Sequence, residues 1–184
     1  MPDCGRHRQG QGVTELDRPN KAGLRDLLEQ AFSGSRWHGF LTSLDGVSEE
    51  EALWVPPGYK GFKHQTGSIL SIAFHTAGDK LVLTSHAFSD GGFGWPEAAQ
   101  LFQRLGGSLA AVRQMAHDGH QEVLAQLAAW PEERLSEPRP YYSGKMYPAH
   151  RIFGIIAEHD LYHAGQINYV RCLLAGRESS SQDS

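Results

Sequence analysis

The chain has 184 residues, of which 40% are hydrophobic, and 21 acidic against 17 basic side chains give a formal net charge of −4. That is enough apolar material for one core, and it lacks the clustered positive charge that a nucleic-acid binder needs to displace counterions. No run of 18 or more apolar residues and no charged-then-apolar leader is present, so a cytoplasmic protein with neither nucleic-acid nor membrane partners is expected. Two isolated cysteines, Cys4 and Cys172, make neither a disulfide framework nor a thiolate metal site.

Residues 1–19 are rich in Gly and Arg without periodicity, which predicts a flexible leader. A polar, disordered tail is predicted over 177–184, leaving one domain over 20–176. Pro19-Asn20 gives a helix start, and Leu24, Leu27, Leu28, Ala31, Phe32, Phe40, Leu41 and Leu44 carry helical spacing to a stop at Asp45-Gly46. Ser48-Glu-Glu-Glu51 has the pattern of a capping box, and Trp54-Val-Pro-Pro-Gly58 ends the short turn it opens.

A second long helix is predicted from Thr66 or Ser68, with Ile69, Ile72, His75, Asp79, Val82 and His86 on its inner face. Ser89-Asp-Gly-Gly92 closes it. Trp95-Pro96-Glu97 opens a third, with Leu101, Leu105, Leu109, Val112 and Met115 in register and Gly106-Gly107 weakening it locally. His117-Asp-Gly-His120 reads as a solvent-facing break before an amphipathic piece from Val123 to Trp130. A Pro-rich connection, 131–140, follows, and no alternating strand pattern is found. Four long amphipathic helices predict an all-α, antiparallel four-helix bundle.

The last helix carries the chemistry. Ile152, Ile155, Ile156, His159, His163, Gln166, Ile167, Val170 and Leu174 fall on one face at about 100° per residue, so His159 and His163 point inward one turn apart. With 10 histidines in the chain, such a pair arises readily by chance, and satisfied core histidines compete with a metal site. His75, near the middle of another apolar stripe, comes level with the pair within about a turn. His64, His86 and His150 stand as substitutes. Asp79 and Gln166, each one turn beyond a histidine, are either supports for an imidazole or ligand, or ordinary polar positions. Glu158 and Asp160, about 100° off the stripe, read as rim residues.

Ser68-Ile69 followed by His75, together with Glu158-His-Asp-Leu-Tyr-His-Ala-Gly-Gln-Ile-Asn-Tyr-Val-Arg171, resembles the DinB-like superfamily, which includes the YfiT-like proteins. The resemblance implies a four-helix bundle in which His75, His159 and His163 hold a divalent metal, zinc or nickel, with a coordination position left open. It further implies an enzyme acting on a small-molecule substrate. Characterised relatives include bacillithiol S-transferases and mycothiol-dependent isomerases or transferases, and others carry the label of metal-dependent hydrolases. A thiol-dependent S-transferase, with a low-molecular-weight thiol as co-substrate, is therefore expected. A hydrolase and a non-catalytic, metal-stabilised stress-response or partner-binding bundle are the alternatives. The resemblance also implies a homodimer.

Overall fold

The structure, a computed structural model, describes residues 20–61 and 65–182. The expected leader and His64 fall outside the described residues. Among the described residues there are seven α-helices: α1 (Lys21–Glu29), α2 (Phe40–Ser43), α3 (Glu49–Leu53), α4 (Ile69–Phe88), α5 (Trp95–Arg104), α6 (Leu109–Ala129) and α7 (Ala149–Gln182). Helices α1, α4, α6 and α7 form the bundle. Among the described residues no helix is long and apolar enough to cross a membrane.

Local chemistry sets most of these boundaries. Asn20 caps α1 through Gly23 N–H, Ser68 caps α4 through Ser71 N–H, and Ser108 caps α6 through Ala111 N–H. The expected capping box is formed: Ser48 Oγ accepts from Glu51 N–H, while Glu51 Oε2 accepts from Ser48 N–H at 2.7 Å.

Several expectations fail for identifiable reasons. The first helix does not run to Leu44. It passes into a π turn, Gln30–Gly34, and stops at Ser35, which is fully extended at φ −155°, ψ 159°. The apolar pattern continues beyond the break because Phe40 and Leu44 of the next segment are buried in the same core as Phe32. The third helix breaks at Gly106-Gly107, where φ is +102° and +64°, a region open to glycine. It continues through His117 to His120 without interruption, since Asp118-Gly119 is accommodated inside α6. Finally, the Pro-rich connection forms a small antiparallel hairpin, β1 (Pro138–Pro140) against β2 (Met146–Pro148), with Arg139 opposite Tyr147. The last helix extends past 176 to Gln182, into the segment expected as a tail.

The core falls into two apolar clusters, and these give the helix directions. Helix α4 passes from the first cluster (Ile69, Ile72) to the second (Leu83, Ala87), and α6 does the same from Leu109 and Val112 to Val123 and Leu127. Helix α7 runs the opposite way, from Ile152 and Phe153 to Ile167 and Val170. Helix α1 accompanies it, with Leu28 in the second cluster and Phe32, just beyond, in the first. The bundle is thus two parallel pairs set antiparallel to each other. Because α4 and α6 point the same way, the chain must return between them, and α5 makes that return packed along α4. Between the clusters lies a belt of polar side chains from α4, α6 and α7, and the candidate site is in it.

Candidate metal centre

Three turns of well-packed helix deliver the histidines. His75 stands on α4, His159 and His163 on α7, and one ligand nitrogen of each lies within 4.8 Å of the others. The ring centroids are 5.1 Å apart for His75–His159, 5.0 Å for His75–His163 and 4.3 Å for His159–His163. His163 is buried, and the other two are half-buried.

The groups around the rings decide what the nitrogens can do. Gln166 Oε1 lies 2.6 Å from His163 Nδ1; as a carbonyl oxygen it only accepts, so Nδ1 carries the proton. Gln166 Nε2 in turn donates to Tyr162 Oη at 3.1 Å, which fixes the amide's orientation. Asp79 Oδ2 lies 3.5 Å from His159 Nδ1 and draws that ring's proton to the same side. The two Nε2 atoms lie 3.0 Å apart, close enough for one ring to donate to the other or for both to share one ion. Tetrahedral zinc with nitrogen ligands would separate two such atoms by about 3.3 Å, so the His159–His163 pair is spaced for one ion, and the third nitrogen, on His75, lies within 4.8 Å of both.

Electrostatics points the same way. Burial, then the neighbouring His163, His75 and Lys80, lowers the His159 pKa to about 3, so the imidazole is neutral and ready to ligate over the whole physiological range. Burial, reinforced by Asp160, raises the Asp79 carboxyl to about 7.

Asp79 and Gln166 thus both contact a histidine of the cluster. His86 and His150 do not join it: the cluster found among the described residues contains only the three expected histidines, and His150 Nδ1 lies 2.8 Å from Leu135 O. Glu158 is exposed as expected, in a two-pronged pair with Arg151 at 2.6 and 2.9 Å.

Asp160 is the main correction. It is fully buried, and its Oδ2 accepts from Lys80 Nζ at 2.6 Å. Turning about 100° from the histidine stripe leads to solvent only if the helix lies at the surface on that side. Helix α7 is instead covered there by α1, the π turn and α2. His120 corrects the sequence reading as well: it is 4% exposed and stacked on Phe32, with ring centroids 3.9 Å apart.

Two clefts adjoin the cluster. One, of about 360 Å³, is lined by Phe74, His75, Asp79, Trp95 and Tyr142. The other, of about 420 Å³, is lined by Gln166, the hydrogen-bond partner of His163, with Tyr59, Gln65, Ile72, Tyr162 and Tyr169 among its walls, and by none of the three histidines. Sequence reasoning takes Trp95 as a helix start and gives neither it nor Tyr142 a place at the site. The available signal was Gly78, one turn beyond His75: a Cβ there would come within 2.9 Å of the Trp95 ring.

A helical bundle with three converging imidazoles at mid-height, one of them lining a cleft, fits a metal-binding helical protein. A sequence profile of the DinB superfamily matches residues 34–167, most of the chain, and the protein belongs to that superfamily. No curated protein matches the chain.

Proposed function

We propose that this protein is a metal-dependent S-transferase that joins a low-molecular-weight thiol to a small electrophile, with His75, His159 and His163 holding zinc or nickel. The observation that carries this reading is the pair of clefts. One is lined by His75 and Asp79, the other by Gln166, which bonds His163, and each has the volume of an organic reactant. Hydrolysis needs one such cleft, because water is the second substrate; transfer needs two. A purely structural ion would favour a closed coordination sphere, whereas His75 lines open space.

A divalent ion, when bound, supplies positive charge that holds a thiol as its thiolate at neutral pH. The chain's own residues do the remaining work. Gln166 and Asp79 orient two imidazoles through their Nδ1 atoms, and burial keeps His159 neutral. In the transfer, sulfur forms a bond to the electrophilic carbon, the leaving group departs with the electron pair of the broken bond, and the thiol proton passes to solvent.

The test is turnover of 1-chloro-2,4-dinitrobenzene by zinc- or nickel-loaded protein with cysteine, glutathione, bacillithiol and mycothiol, before and after chelation. Thiol-dependent conjugation that chelation abolishes is expected. Thiol-independent hydrolysis would replace transfer by the hydrolase reading. Inactivity of fully loaded protein with every thiol would overturn the enzyme.

A further inference from the structure

The cleft over His75 is built largely from aromatic rings, and they are held in place. The Trp95 ring lies parallel to the His75 ring, 4° from coplanar with centroids 5.4 Å apart, and meets Phe74 edge-on at 6.3 Å. It reaches that position because α5 returns along α4 and Gly78 has no side chain to block it. Trp95 nevertheless remains 37% exposed. From the hairpin comes Tyr142, 46% exposed and packed on Tyr141 with centroids 4.1 Å apart. Tyr141 donates its hydroxyl proton to Tyr142 Oη at 2.9 Å, so the Tyr142 proton is not used in that bond. Among the described residues no lysine or arginine lines the cleft, and those that do line it are not suited to a phosphate or another strongly anionic group.

We propose that this cleft seats a planar, uncharged aromatic compound carrying a carbonyl or similar acceptor oxygen, with its ring against Trp95 and its oxygen receiving the Tyr142 hydroxyl proton. The volume, about 360 Å³, suits one substituted ring and excludes a polymer. Aromatic faces prefer offset or edge contact with another ring over contact with a saturated one, and that preference is the basis of selection. The binding claim rests on the cleft alone. Its assignment as the seat of the electrophile rests on the S-transferase reading above.

A matched pair of probes tests it: acetophenone and 1-cyclohexylethanone, which carry the same ketone on a flat and on a puckered ring. Titration calorimetry on the full chain, metal-free and zinc-loaded, should show acetophenone binding about tenfold more tightly in both states. Trp95→Leu should remove the preference. Tyr142→Phe should keep it while weakening both ketones about fivefold, the worth of one hydrogen bond. Should Trp95→Leu fail to fold, Tyr142→Leu, at an exposed position, serves as the second variant and should reduce the preference at an unchanged melting temperature. Equal affinity of the two ketones in the wild type would overturn the proposal, as would a preference surviving in folded Trp95→Leu. The two readings fail separately: ring selectivity without turnover would sink only the S-transferase, and turnover without ring selectivity would sink only the aromatic seat.

Discussion

The polar belt contains two clusters built from adjacent residues of the same two helices. Asp79 and His159 face the histidine cluster, whereas Lys80 and Asp160, the very next residues, face the sealed space beside Phe32 of the π turn, Phe40 of α2 and His120 of α6. In the first cluster, polar groups line clefts. In the second, the Lys80–Asp160 pair is 1% exposed at both side chains, and the ammonium also lies 4.4 Å from the centre of the Phe32 ring. Asp160 Oδ1 and His120 Nδ1 have no hydrogen-bond partner there. Burial raises the Asp160 pKa and lowers that of Lys80, each toward its neutral form, while their mutual attraction opposes both shifts. One residue step, about 100° on the helical wheel, thus separates a set of groups beside the clefts from a set committed to the interior.

The contrast predicts different responses to substitution. The largest should come from Lys80→Met, which strands a buried carboxylate and should cost about 3–5 kcal/mol in urea denaturation. Lys80→Met with Asp160→Leu, which removes both charges, should recover most of that loss. A full loss persisting in the double variant would mean that packing, not charge pairing, is what Lys80 supplies.

A smaller effect is expected from His120, through pH. Burial, then Lys80 and His117, lowers its folded pKa to about 3 from 6.5. Between these values the unfolded chain binds the extra proton, so this contribution to stability is complete above about pH 6.5 and is lost as pH falls toward 3. The steepest slope from one such group is about 1.4 kcal/mol per pH unit. His120→Phe, which keeps a flat ring against Phe32, should flatten the acid limb of the stability curve; an unchanged limb would assign it to other groups. The smallest change is expected on the outer face of α7: Glu158→Gln, in an exposed ion pair, should alter stability by less than about 0.5 kcal/mol and leave metal content unchanged.

How far the sequence revealed all this depends on what each signal reports. Helix periodicity identified the inward stripe of α7 and the His75 face of α4, because those faces meet one another across the bundle. It misplaced Asp160 because a single stripe assumes a single buried face, and α7 is covered on two. Capping residues at Ser48 and Ser68 were legible because the cap is a local hydrogen bond. The breaks at Ser35 and Gly106-Gly107 were harder to locate, since the apolar pattern continues across both. Trp95 and Tyr142 come to the cluster from a crossover helix and a hairpin, and their positions follow from tertiary packing that no local pattern records.

The account depends on three imidazoles sharing one cation. Elemental analysis of the purified wild type beside His163→Ala, with circular dichroism to verify the helical fold, tests this most directly. About one divalent ion per chain is predicted in the wild type and close to none in the folded variant. Equal metal content in the two proteins would contradict the account.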